Sequence, residues 1–443
     1  MLDPEEPKAT DVDIIQRLIL EDFIGAEGLI AYTARYGGRW LIIVDDGTTP
    51  ILFTDAAGFR QVCYTDRQRV SEVWCASQPG ILAEMLNLKV DPEADEFIKF
   101  LMPLDSEYWW PGDSTPYKEV RHLIPNHYLD VMTGRPQRYW PHQDLGELPL
   151  DRAVEASSRL LKGLLTSAAE RFGLALALTA GVDSRTSLAG CKEIKDQLAY
   201  FTLRQARVSA HNAVDIAVAS ALSRTLGLKH EVLDGLGKPD PEFQRMFRHN
   251  AVFAHDVWGP DAQAIFEWSH LNHVGISSVA SGISKCWYRL PWYMGTRMNG
   301  LKLGFLVGMG RHPFAVRAFD RWLAGVGNSY NLHILDLFFW EQREGNWVAM
   351  CQSEFDSAWR DIFSPFNCRL LLTCMLSVAE HQRTFPRCEL HRRMMAALWP
   401  AVLGEPINPD SHLSPLESLR CKAGYHYNLI RYAAKNLLVL RTC

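Results

Sequence analysis

The chain has no run approaching the ~18 consecutive apolar residues of a membrane-crossing helix. Its longest helix-like apolar stretch, near residues 370–379, contains Thr373 and Ser377 and reads as core. No membrane partner is therefore expected. There is no basic block either: 46 Lys and Arg stand against 51 Asp and Glu, for a net charge of −5. A dedicated nucleic-acid binder shows a basic patch, so that class is not expected, although a local polyphosphate site needs only a small cluster. The ten cysteines form no C-x-x-C pair and no His/Cys zinc spacing. The opening MLDPEEPKATDVD is acidic and polar, the opposite of a targeting segment. Scattered thiols without an export signal lead us to expect a cytoplasmic protein. His270 and His273 form an H-x-x-H pair that reads as core or surface rather than as a metal site. No internal repeat and no low-complexity segment is visible.

What is present is an ordinary globular composition, 47% hydrophobic and 22% charged, at a length of 443 residues that suggests two or three domains. Residues 1–24 read as a short helical or loosely ordered lead-in. The runs LIAYTA, RWLIIVDD and ILFTD alternate apolar and polar positions between Gly and Asp turns, which predicts antiparallel strands. Residues 77–101 read as two helices, started by Gln78-Pro79 and Asp91-Pro92. Residues 151–172 have helical periodicity, and 212–226 form a clear helix before Gly227. Apolar runs at 174–178, 198–203 and 230–233 alternate with these helices. That spacing predicts a parallel sheet. From Asp240 onward the chain reads as mostly helical and Trp-rich. The expected fold class is thus α/β in two domains. An antiparallel-sheet α+β domain spans 1–142, and a parallel-sheet domain with a helical C-terminal half spans 143–443.

Residues 174–190, LALALTAGVDSRTSLAG, are the most informative stretch. A buried strand breaks into Thr179-Ala180-Gly181-Val182-Asp183-Ser184 and continues as a helix. Small residues and hydroxyls at such a strand-to-helix turn can hold a polyphosphate. Thr179 and Ser184 supply hydroxyls, Gly181 allows close backbone approach, and Asp183 is a candidate Mg²⁺ ligand. The bland alternative is a strand-to-helix turn whose Asp-Ser pair caps the helix.

The loop T-A-G-V-D-S resembles the pyrophosphate loop S-G-G-x-D-S of the N-type ATP pyrophosphatases, with Thr for Ser and Ala for Gly. Residues 120–141, VRHLIPNHYLDVMTGRPQRYWP, resemble the linker of asparagine synthetase-like proteins. Asn126 stands there where Gly is usual, and both tolerate positive φ. Residues 38–64 resemble a strand pair and corner of the class II glutamine amidotransferase domain. Two C-terminal stretches, 364–383 and 390–410, loosely resemble helices of the same family. From about residue 25 onward the chain is similar to the asparagine synthetase and beta-lactam synthetase-like family.

The resemblance implies an adenine nucleotide α-hydrolase-like second domain preceded by a degenerate amidotransferase-like one. It implies ATP and Mg²⁺ as cofactors. It implies nucleotide-binding positions at Leu178, Thr179, Gly181, Asp183, Ser184, Thr202, Leu203, Ser281 and Gly282, with Asp183 on the metal. Asp215 falls near a family P-D position, where helix capping is the preferred reading. The family's second metal carboxylate has no counterpart, since no Asp or Glu occurs between Glu267 and Asp320. Lys285 reads either as an ammonium replacing metal charge or as a solvated lysine, the latter preferred. Lys422, with Arg420 and Lys435 as rivals, is the candidate late catalytic lysine, and Lys285 is the second catalytic candidate. Position 2 is Leu and the first cysteine is Cys63, so no glutaminase activity is expected and a glutamine-dependent asparagine synthetase proper is disfavoured. The expected function is an ATP-dependent, AMP-forming amide ligase or cyclase acting on a small-molecule carboxylate and amine. The alternative is a catalytically degenerate homologue that binds nucleotide or a partner protein. A homo-oligomer or a biosynthetic partner protein would fit either.

Overall fold

The computed structural model describes residues 1–409 apart from 22, 46, 105–106, 206–208 and 291–296. The lead-in folds into helix α1 (Asp11–Leu20), capped by Thr10 and Asp13 in a reciprocal capping box. LIAYTA is not a strand. It lies in helix α2 (Gly25–Thr33), because its buried residues Leu29, Ile30 and Thr33 fall at helical spacing. The other runs do form strands. β1 (Leu41–Val44) pairs antiparallel with β2 (Ile51–Thr54). β3 (Cys63–Thr65) and β4 (Cys75–Ala76) precede two helices, α3 (Pro79–Leu86) and α4 (Pro92–Leu101), which begin at the expected prolines. Asp91 caps α4 by accepting from the Glu93 N–H. β5 (Val120–His122), β6 (His127–Asp130) and β7 (Arg135–Arg138) follow. These strands form two antiparallel sheets, ordered β1-β2-β6-β7 and β4-β3-β5. Asn126, just before β6, adopts φ +69°, the conformation the sequence reading allowed.

Helix α5 (Leu150–Ala169) leads into β8 (Leu174–Ala177), then α6 (Val182–Gly190). β9 (Leu198–Gln205), α7 (Ser209–Leu226) and β10 (His230–Gly235) complete the first half of a parallel sheet. After α8 (Pro241–Asn250) and α9 (Gly259–Ser269), β11 (Val274–Ile276) enters on the other side of β8, and β12 (Asp361–Phe363) closes the order β10-β9-β8-β11-β12. Leu174, Ala175 and Leu176 of β8 sit in register with Leu198, Ala199 and Tyr200 on one side and with Val274, Gly275 and Ile276 on the other. The chain direction across the sheet therefore reverses at β8. In open parallel sheets that switch point, at the carboxyl ends of the strands, is where ligands bind.

The largest buried cluster runs from Phe97, Trp109 and Trp140 through Leu161 and Leu176 to Phe338 and Trp340. Phe339–Val348 forms a π-helix between the short helices Ile334–Phe338 and Ala349–Phe355. Its Glu341 is fully buried and takes Arg138 Nη2 at 2.8 Å, Asn126 Nδ2 at 2.9 Å and Trp322 Nε1 at 2.7 Å. Residues from the β5–β7 region and from the helical half thus share one carboxylate. No described helix is long and apolar enough to cross a membrane.

Candidate functional site

The loop begins where β8 ends. Leu178 is buried, with its N–H on the Phe201 carbonyl at 2.8 Å. Its own carbonyl accepts the Thr202 hydroxyl at 2.7 Å. Thr202 also meets His230 Nε2 at 2.8 Å. Leu178 and Thr202 thus clamp adjacent strands together and do not line the cavity. Strand alternation instead turns Phe201, Leu203 and Gln205 toward it.

Thr179 and Ser184 meet through their hydroxyls at 2.8 Å, and Thr179 Oγ1 accepts the Gly181 N–H at 3.1 Å. Gly181 is the N-cap of α6 at φ −70°, ψ 151°, without a side-chain cap, so the Asp-Ser pair does not cap this helix. The first-turn N–H groups of Val182, Asp183 and Ser184 have no intrahelical acceptor and carry the positive end of the helix dipole. Asp215 is not a helix cap either. It sits inside α7, and its carboxylate accepts the Ala180 N–H at 2.7 Å, which fixes the loop's path. Arg185, fully buried, donates to the carbonyls of Val402 at 2.7 Å and Glu405 and Pro406 at 3.1 Å, and Asn408 N–H reaches the Ala180 carbonyl at 2.8 Å. The 402–408 segment is thereby seated against the loop. Lys422, Arg420 and Lys435 lie outside the described residues.

Lys285 is not a solvated lysine. It ends the 3₁₀ turn Val279–Lys285, is 4% exposed, and its ammonium lies 2.7 and 2.6 Å from the two Asp183 carboxylate oxygens. It also stands 4.8 Å above the Trp287 ring. Ser281 donates its hydroxyl to the same Asp183 oxygen, Oδ1. Gly282 packs this turn tightly, since a Cβ there would lie 2.9 Å from Trp287 Nε1 and 3.0 Å from Phe339. Ser281 and Gly282 thus build the support behind Asp183 rather than the cavity wall. With both oxygens engaged, Asp183 does not fit a resident Mg²⁺.

Two buried groups near this pair were not read from the sequence. Glu344, on the π-helix, is 2% exposed and its Oε2 has no partner. Burial pushes its carboxyl well above the ordinary range, with Arg343 opposing and the Asp183 charge adding to the rise. Glu341, one turn away, is pushed up by burial too, but the Arg138 guanidinium overcomes this and holds it below its usual range. His391, on the helix Glu389–Leu398, is fully buried with neither ring nitrogen bonded, and burial lowers its pKa to about 4. A π-helical register and a lone buried acid leave no period that a sequence scan detects.

The loop opens into a cavity of about 840 Å³. Thr179, Gly181, Asp183 and Ser184 form one end, and Phe201, Leu203, Trp258, Ile265 and Trp359 supply apolar walls. A polar corner is set by Gln205, which donates to Asp261 at 2.6 Å. Burial raises Asp261 to about 6. Gly235 leaves room for it, because a Cβ there would run into the Asp261 carboxylate and force it to move. Cys351 also faces the cavity, near His255 and Glu354. His255 already uses both ring nitrogens, on Glu354 at 2.8 Å and on the Tyr108 carbonyl at 2.8 Å. Both ring nitrogens are thus taken up by these contacts rather than by a metal or the Cys351 thiol. The other such cluster among the described residues, Cys286, Asp336 and Glu380, has its carboxylates held by Arg289, at 2.7 Å each.

Comparison of the whole sequence with protein-family models and with curated proteins finds no match.

Proposed function

We propose that the chain is an asparagine synthetase-like protein of two domains that binds ATP in this cavity and activates a substrate carboxylate by AMP transfer. The acceptor amine would come with the substrate. The observation that carries the reading is the placement of the 179–184 loop at the switch point of the parallel sheet, opening into a cavity with aromatic walls. A purine ring suits those walls. The Gln205–Asp261 corner offers polar atoms for its edge, and the free first-turn N–H groups of α6 suit the phosphates.

In this reading the carboxylate oxygen attacks the α-phosphorus, the α–β phosphoanhydride breaks, and pyrophosphate leaves toward the helix N-terminus. The amine then displaces AMP from the acyl carbon and loses a proton. Loop hydroxyls and N–H groups face charge that develops on the leaving pyrophosphate. No step is assigned to a metal at Asp183.

A Gly181→Val variant tests the reading. Its backbone lies in the extended region, which any residue adopts, while the new side chain enters the loop beside Thr179 Oγ1, 3.0 Å from the Cβ position. Calorimetric titration should show ATP binding to the wild type and at least a roughly tenfold loss in the variant, about 1.4 kcal/mol. Equal binding by both proteins would move the phosphates away from this loop. Release of AMP with a panel of carboxylic acids then separates a ligase from the second reading, nucleotide binding without turnover. The Lys285–Asp183 contact favours that second reading, because it removes the family's metal ligand.

A further inference from the structure

The geometry points to Lys285 as a built-in substitute for the divalent cation, making the 179–184 loop a metal-free anion site. The inference rests on the nucleotide reading for its ligand, but its central claim concerns the chain alone. Both Asp183 oxygens lie within 2.7 Å of the Lys285 ammonium, and Ser281 donates to one of them as well. The ammonium is 4% exposed and is enclosed between that carboxylate and the Trp287 ring. A Mg²⁺ ion on Asp183 would have to sit about 2.1 Å from a carboxylate oxygen. It would then lie against a cation that has nowhere exposed to go. Residues 268–319 offer no carboxylate to offset that repulsion, and Glu344, the buried acid near the pair, is pushed by burial toward its neutral form. Neither place where three potential ligands converge among the described residues includes Asp183.

The arrangement also explains how a carboxylate can remain in a phosphate loop without a metal. Asp183 is one-third exposed toward the cavity, whereas Lys285 lies behind it and does not line the cavity. An approaching polyphosphate therefore meets a neutralised carboxylate and the N–H groups of the α6 first turn. A metal normally performs that neutralisation; here a covalently anchored side chain performs it at all times. Nucleotide affinity should thus be indifferent to divalent ions.

The test has two arms. In the first, Mn²⁺ alone is titrated into the full chain and followed by electron paramagnetic resonance. Wild type should show no Mn²⁺ that depends on Asp183, whereas Lys285→Met should gain one that Asp183→Asn removes. Mn²⁺ bound by wild type and lost in Asp183→Asn would overturn the inference. In the second arm, the ATP analogue with a methylene between the α- and β-phosphorus is titrated in excess EDTA and in excess Mg²⁺. Wild-type affinity should agree between the two conditions, and Lys285→Met should become metal-dependent by roughly tenfold or more. A wild type that requires Mg²⁺ would also overturn it. If Lys285→Met fails to fold, the paired change Lys285→Met with Asp183→Asn removes both charges and should bind the analogue equally with and without Mg²⁺. If folded wild type binds no analogue under either condition, the nucleotide reading fails, and the Mn²⁺ arm still decides the metal question.

Discussion

Asp183 shows how little a residue's identity says without its neighbours. In sequence it is a carboxylate at the head of a helix and a natural metal ligand. In the fold it is the partner of a buried ammonium and a serine hydroxyl. Glu344 makes the complementary point. Buried with an unpaired oxygen, its carboxyl is pushed well above the ordinary range, toward the neutral acid. A neutral acid can be replaced by an amide of the same shape at small cost, whereas an ionised one in a paired site cannot. Glu344→Gln should therefore change stability at pH 7 by less than about 1 kcal/mol in urea denaturation. A loss of several kcal/mol would show that Glu344 is ionised and paired. The sequence contained the glutamate but gave no reason to single it out. Its environment is assembled from Asp183, Lys285 and Arg343, which lie as far as 161 positions away.

At the level of elements, local signals were reliable where local physics decides. Pro79, Asp91-Pro92 and the helical stripes of 151–172 and 212–226 all mark helices near where they were expected. LIAYTA failed because six residues of mixed polarity fit a period of 2 and of 3.6 equally, and packing chose the helix. Helix α5 carries a further constraint that its sequence hides. A Cβ at Gly163 would run into the carbonyl oxygen of Pro4, so the N-terminal segment lies directly on this helix. Gly163→Ala would improve helix propensity in isolation by up to about 1 kcal/mol. In the folded chain the clash should dominate and destabilise by about 1–3 kcal/mol. A rise in the thermal midpoint of this variant would show that the Pro4 contact does not persist in solution.

For the whole molecule, burial of histidines sets the response to acid. Burial lowers His122, His127, His230 and His391, the last to about 4. A base with a depressed folded pKa stabilises fully above its unfolded value of about 6.5, and that stability is lost as pH falls toward the folded value. Asp261 works in the opposite sense. Raised to about 6 by burial, it costs stability as pH rises through the window from 3.8 and relieves that cost on acidification. The histidine contribution to urea stability should therefore fall from pH 7.5 to pH 5, against Asp261 and against Glu344, whose burial acts in the same sense as that of Asp261. His391 alone accounts for roughly 2 kcal/mol of that fall at pH 5. His391→Gln should make stability at pH 5 relative to pH 7.5 more favourable by about that amount, with the Asp261 and Glu344 effects common to both proteins. An unchanged difference would place a proton or a solvent path at His391 in the folded state.

The sequence by itself determined the strands and helices around the loop, their parallel order, and the glycine and hydroxyls of 179–184. These follow from periodicity and from residues whose backbone or capping preferences act over a few positions. Only the tertiary structure decided what Asp183 faces, that Thr202 and Leu178 serve the sheet while Leu203 and Gln205 serve the cavity, and that Asp215 holds the loop. It also brought Lys285, Glu344 and His391 to one place from three distant segments. The physical reason is range. Propensity and periodicity are local, whereas the charge state and partner of a buried group depend on which remote side chains the packed core puts within a few ångströms of it.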